Sequence, residues 1–70
     1  MRANPSKHVV FFEVSPSANY KVKDEQTRKV LRTGTAGKTG KRGTIPGLHG
    51  QEYKLYVDNP FGGYGYISNN

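Results

Sequence analysis

Apolar and polar residues alternate in two well-separated parts of this chain. In residues 7–15, Val10, Phe12 and Val14 fall on one face, while Val9 and Phe11 fall on the other before Glu13. Period-two alternation marks a strand, and apolar residues on both faces mark a central strand or one covered in its first half by another chain. In residues 51–58, Tyr53, Leu55 and Val57 point one way and Lys54 and Tyr56 the other. Ser15-Pro16-Ser17-Ala18-Asn19 breaks the first strand with a turn, and Asp58-Asn59-Pro60 turns the second. The tail from Phe61 allows a short last strand with Tyr64 and Tyr66 on one face, and Gly65 between them permits a close backbone approach or a bulge.

Residues 20–32 admit two readings. A helix from Asp24 has an N-cap and good helix formers in Glu25, Gln26 and Lys29, but its apolar stripe is only Val30 and Leu31. A hairpin places Tyr20 and Val22 on one strand, a polar turn at Asp24–Arg28, and Val30 and Leu31 on the next. The hairpin is preferred. Residues 33–50 contain six of the nine Gly residues and few apolar side chains. Gly loses the most conformational freedom on ordering, so this stretch is expected to be a mobile loop, with Ile45 and Leu48 returning to the core around Pro46-Gly47. Residues 1–6, polar and carrying Pro5, are expected to be frayed or disordered. The expected fold is therefore all-β: a small antiparallel sandwich or partly open barrel of four to five strands, with a long basic Gly-rich loop.

Seventy residues form one domain at most. A chain of that size buries only about 60% of its unfolded surface, so its stability is marginal without an oligomer or larger assembly. The sequence has no Cys, which removes disulfides and thiolate sites. His8 and His49 are the only His residues, so no structural zinc site and no other cofactor is expected. The run Val9–Phe12 is shorter than the roughly 7–15 residues of a signal-peptide core, and nothing approaches the roughly 20 apolar residues of a membrane span. These features place the chain by default in the cytoplasm or the interior of a host cell.

Charge changes this picture. Residues 21–42 hold Lys21, Lys23, Arg28, Lys29, Arg32, Lys38, Lys41 and Arg42 against Asp24 and Glu25, which accounts for the whole formal excess of +6. A concentrated surplus makes a local field that attracts polyanions. Arg28, Lys29, Arg32, Lys38, Lys41 and Arg42 are the expected partner or nucleic-acid contacts, where cations neutralise phosphates and release counterions. Tyr56, Phe61, Tyr64 and Tyr66 are the aromatics available to stack on bases.

Other motifs carry less. Gly37-Lys38-Thr39 resembles the end of a phosphate loop, but position 32 is Arg rather than Gly, and Gly40-Lys41-Arg42-Gly43 does not open a helix. Gly34, Gly37, Gly40 and Gly43 recur every third residue, too few for collagen and without Pro in the triplets. Glu13, Asp24, Glu25, Glu52 and Asp58 are scattered, and neither His has a sequence-local carboxylate. No nucleophile and base stand together, so no enzyme is expected.

The order of residues 14–57, about 44 of the 70, resembles the small prealbumin-like sandwich modules, the PEGA repeat and the carboxypeptidase regulatory-like domain. The residues that carry the resemblance are Val14–Ala18, Tyr20–Asp24, Thr33–Thr35, Ile45–Gly50 and Glu52–Val57. Arg28 departs from it, standing where such modules often have Gly after the Thr of the first turn, and the segment 36–43 is more basic than usual. The resemblance implies a non-catalytic scaffold or adhesion role, extracellular or associated with a surface or particle, and it assigns no functional residues.

Two functions follow. One is an interaction or structural module that presents the basic segment to a protein partner or to its own copies as an oligomer. The other is a small basic protein that binds DNA or RNA through the 28–42 segment.

Overall fold

The computed structural model describes residues 1–59 and 62–69. The expected aromatic contact Phe61 therefore lies outside the described residues, as does Pro60. Six strands form: β1 (Val10–Val14), β2 (Asn19–Asp24), β3 (Lys29–Thr35), β4 (Lys41–Ile45), β5 (Tyr53–Asp58) and β6 (Gly65–Ser68). They make two antiparallel three-stranded sheets, ordered β4-β1-β6 and β3-β2-β5. The protein is thus all-β, arranged as a small sandwich. Among the described residues no helix is long and apolar enough to cross a membrane.

The two central strands supply the core. Val10, Phe12 and Val14 of β1 and Tyr20 and Val22 of β2 are buried, and the alternation seen in the sequence is the cause. The second apolar face of β1 is covered only in part: Phe11 is half-buried between its register partners Thr44 and Ser68. Phe12 and Tyr20 meet across the sandwich with ring centroids 5.4 Å apart and planes tilted by 37°. Such tilted contacts add about 0.5–1.5 kcal/mol beyond area burial.

Each of these rings lies over a glycine of the neighbouring edge strand. Phe12 pairs with Gly43 and Tyr20 with Gly34. A Cβ on Gly43 would stand 2.5 Å from Phe12 Cζ, and one on Gly34 2.9 Å from the Tyr20 hydroxyl oxygen. The Gly-rich stretch is thus partly a device for fitting large rings, and the expected loop over 33–50 is corrected accordingly. Thr33–Thr35 complete β3 and Lys41–Ile45 are β4, which leaves 36–40 and 46–52 as the connections. The first connection turns tightly, with Gly40 N–H donating to Gly37 O at 3.1 Å. Gly40 has φ of 89°, and a Cβ there would come within 2.7 Å of Val14 O, so Gly is required on both counts.

Residues 20–32 form the hairpin, not the helix. Asp24 Oδ1 accepts from Gln26 N at 2.9 Å and from Thr27 N at 3.3 Å, closing an Asx turn before β3 begins. Arg28 then takes φ of 59°, the left-handed geometry that Gly fits at least cost. Leu31 is an extra residue in β3, because Val22 pairs with Arg32 and Lys23 with Val30. This bulge explains how Leu31 can pack against the core while its neighbour Val30 stays 44% exposed.

Residues 1–6, expected to fray, lie against the sandwich instead. Met1 and Tyr53 exchange both backbone hydrogen bonds, at 2.8 and 2.7 Å, so Met1 lies alongside the first residue of β5. Ala3 is buried. The Asn4 side chain accepts from Ser6 N and Lys7 N and donates to Asn69 O.

Candidate polyanion-binding surface

The outer face of the β3-β2-β5 sheet follows from the alternation that builds its core. With Tyr20 and Val22 turned inward, Asn19, Lys21 and Lys23 of β2 turn outward. Antiparallel pairing sets Tyr56 beside Lys21 and Lys54 beside Lys23 on β5. Lys21 Nζ stands 5.2 Å from the centroid of the Tyr56 ring, and Lys54 Nζ 5.9 Å from it. Both distances are within the range of cation–π attraction. Lys23 and Lys54 are like charges directly across the ladder, an arrangement that opposes strand pairing unless an anion intervenes.

Tyr56 is 39% exposed and donates its hydroxyl to Glu25 Oε1. That hydrogen bond, with smaller help from desolvation and the Glu25 charge, raises the Tyr56 pKa above the usual tyrosine value. The neutral phenol is therefore favoured by folding. Its stabilisation is complete below the unfolded-state value near 10 and disappears as pH rises through the higher folded value. In an alkaline absorbance titration Tyr56, identified by its absence in Tyr56→Phe, should ionise late, and Glu25→Gln should bring it back toward the usual value. An unmoved curve in Glu25→Gln would refute the contact.

The cations expected to act together are spread apart. Arg28 and Lys29 sit at the β2–β3 turn, Lys38 in the 37–40 turn and Lys41 at the start of β4. β3, seven residues long, separates the two ends by about 20 Å. Arg32 lies midway along it. Arg42 is neutralised within the protein, its Nε 2.5 Å from Glu13 Oε1, and this hydrogen bond and charge raise its pKa. Among the described residues the Met1 ammonium and Glu52 form the other ion pair, and no carboxylate lies within 4.0 Å of Lys21, Lys23 or Lys54.

The aromatics divide as well. Tyr66 is the register partner of Glu13, which puts it on the outer face of the other sheet, away from Tyr56. Tyr66 is 58% and Tyr64 71% exposed. The Tyr64 backbone is fixed by Ser15, whose N–H donates to Tyr64 O and whose hydroxyl oxygen accepts from Tyr64 N. On that second face the Glu13–Arg42 pair cancels its own charge.

His8 and His49 stack with centroids 4.3 Å apart. Among the described residues no three His, Cys, Asp or Glu side chains gather as a metal-holding group. Sequence reasoning did not select Lys21, Lys23 and Lys54. Their signal was present in Tyr20-Lys21-Val22-Lys23 and Tyr53-Lys54-Leu55-Tyr56, two alternations whose outward residues share a face once the strands pair.

Compared with known proteins, the chain matches no family model, no curated protein and no solved structure. The prealbumin-like resemblance rests on the order of residues alone.

Proposed function

We propose that this chain is a non-catalytic binding module that holds a polyanionic partner on the outer face of the β3-β2-β5 sheet. The observation that carries this reading is the placement of Lys21 and Lys54 beside the exposed Tyr56 ring, with Lys23 across the ladder from Lys54 and none of the three paired with a carboxylate among the described residues. Lys21 and Lys23 belong to the central strand, where a charge does nothing to protect a sheet edge. The like-charge pair Lys23–Lys54 costs local stability that a bound anion would recover.

The test is binding of linear polyphosphate at two salt concentrations. Affinity should fall as salt rises, because screening acts on exposed charges. Replacing Lys21, Lys23 and Lys54 together by Ala should weaken binding roughly tenfold or more, at about 0.5–1 kcal/mol for each exposed contact. Replacing Arg28, Lys38 and Lys41 by Ala removes the same net charge from elsewhere and should cost much less. Equal losses in the two triple variants would mean that net charge, not this face, does the binding.

A further inference from the structure

We infer that the ligand of this face is single-stranded nucleic acid, with one unpaired base stacked on Tyr56. This rests on the polyanion-binding reading above and narrows it. Three lysines alone fit any polyanion. The ring between them is what distinguishes one class, because a base offers a π-face to stack and an acidic peptide or polyphosphate does not. The Tyr56 hydroxyl is tied to Glu25, so the ring is held in place rather than free to turn with the side chain.

Beside the ring lies a shallow depression of about 400 Å³, lined by Asn19, Lys21, Thr33, Tyr56 and Asp58 among others. Its polar groups are of both kinds. Asn19 Oδ1 accepts from Thr35 Oγ1 at 2.7 Å, which leaves the Asn19 amide N–H groups as donors, and Asp58 supplies an acceptor. A base edge carries donors and acceptors together and needs such a mixed lining. Lys21 and Lys23, two residues apart on one face of β2, stand about 6.6 Å apart along the strand, a spacing suited to successive phosphates of an extended backbone. Duplex DNA keeps its bases stacked on one another and cannot offer one to a flat sheet face, so the same geometry selects the single strand.

Four probes separate the outcomes: oligothymidylate, a duplex of equal length, linear polyphosphate and polyglutamate, each titrated against the full chain at one salt concentration. Oligothymidylate should bind tightest. Tyr56→Leu, which keeps a bulky apolar side chain on an exposed strand position, should weaken oligothymidylate roughly tenfold and polyphosphate by much less. Tyr56→Phe keeps the ring but loses the tether to Glu25, and should weaken oligothymidylate less than Tyr56→Leu does. If polyphosphate, polyglutamate or duplex binds as tightly as oligothymidylate, or if Tyr56→Leu binds oligothymidylate like the wild type, the single-strand assignment is overturned while polyanion binding stands. If none of the four binds, both readings fall.

Discussion

Phe12→Ala should cost about 3–5 kcal/mol of stability, enough to leave much of so small a domain unfolded at room temperature. Phe12 is 3% exposed and is the ring that joins the two sheets, touching Tyr20 from the opposite central strand. Removing it empties the middle of a core in which the largest wholly buried side chains are only valines. Gly43→Ala should be destabilising for the converse reason. The new methyl would meet Phe12 Cζ at 2.5 Å and Cε1 at 2.6 Å, and the ring has Tyr20 behind it. Overpacking of this kind costs about 1–3 kcal/mol. The two positions should also be coupled. In a Phe12→Leu background the shorter side chain vacates the space the methyl needs, so adding Gly43→Ala should cost less than it does in the wild type, by about 0.5–3 kcal/mol. Urea unfolding of the four proteins in this cycle measures the coupling. Strict additivity would show that the ring does not depend on the glycine beneath it.

That pairing also shows what the sequence made legible and what it hid. The strands built on Val10, Phe12 and Val14, and on Tyr53, Leu55 and Val57, are readable because the alternation is local and unbroken. The β2–β3 hairpin is readable because the apolar stripe of a helix is missing there and Asp24 is a turn former. β4 is different. Lys-Arg-Gly-Thr-Ile has one apolar residue facing the core, Ile45, and its second inward position is a glycine. Judged by itself such a segment looks like loop. Its reason for being strand lies in Phe12, thirty-one residues earlier by number, whose ring needs the empty space. The candidate site follows the same rule. Charge counted along the chain joined 21–42 into one patch, whereas β3 carries its members to opposite ends. Lys54 stands between Glu52 and Asp58 in a stretch with no positive excess, and only the pairing of β2 with β5 brings it beside Lys23.

Replacing Arg32 and Lys41 together by Val should turn a monomer into a self-associating protein at micromolar concentration. β5 packs against β6 on one side of the sandwich, so β3 and β4 share the other, and both are edge strands there. Unpaired edges invite another chain, and inward-pointing charges are one of the ways proteins prevent it. Arg32 pairs with Val22 and Lys41 with Val14, residues whose side chains face the core, so both cations stand on the inward side of their edge strands. A second copy docking along this flank would have to bury them against their like. The Leu31 bulge disturbs the ladder of β3 further. Val at both positions removes the charges and adds strand propensity, while the core-facing pattern is kept. Sedimentation velocity of the wild type and the double variant, at the same concentration and at low salt, decides the matter. A monomeric double variant would show that these two cations do not guard the edge. A wild type that already forms dimers through β3 or β4 would show that the edge is open in spite of them. The expected pattern, a monomeric wild type and an associating variant, would assign the flank cations to keeping the chain apart from its copies, and leave Lys21 and Lys23, which lie on the central strand β2 and guard no edge, as the ones whose charge calls for a ligand.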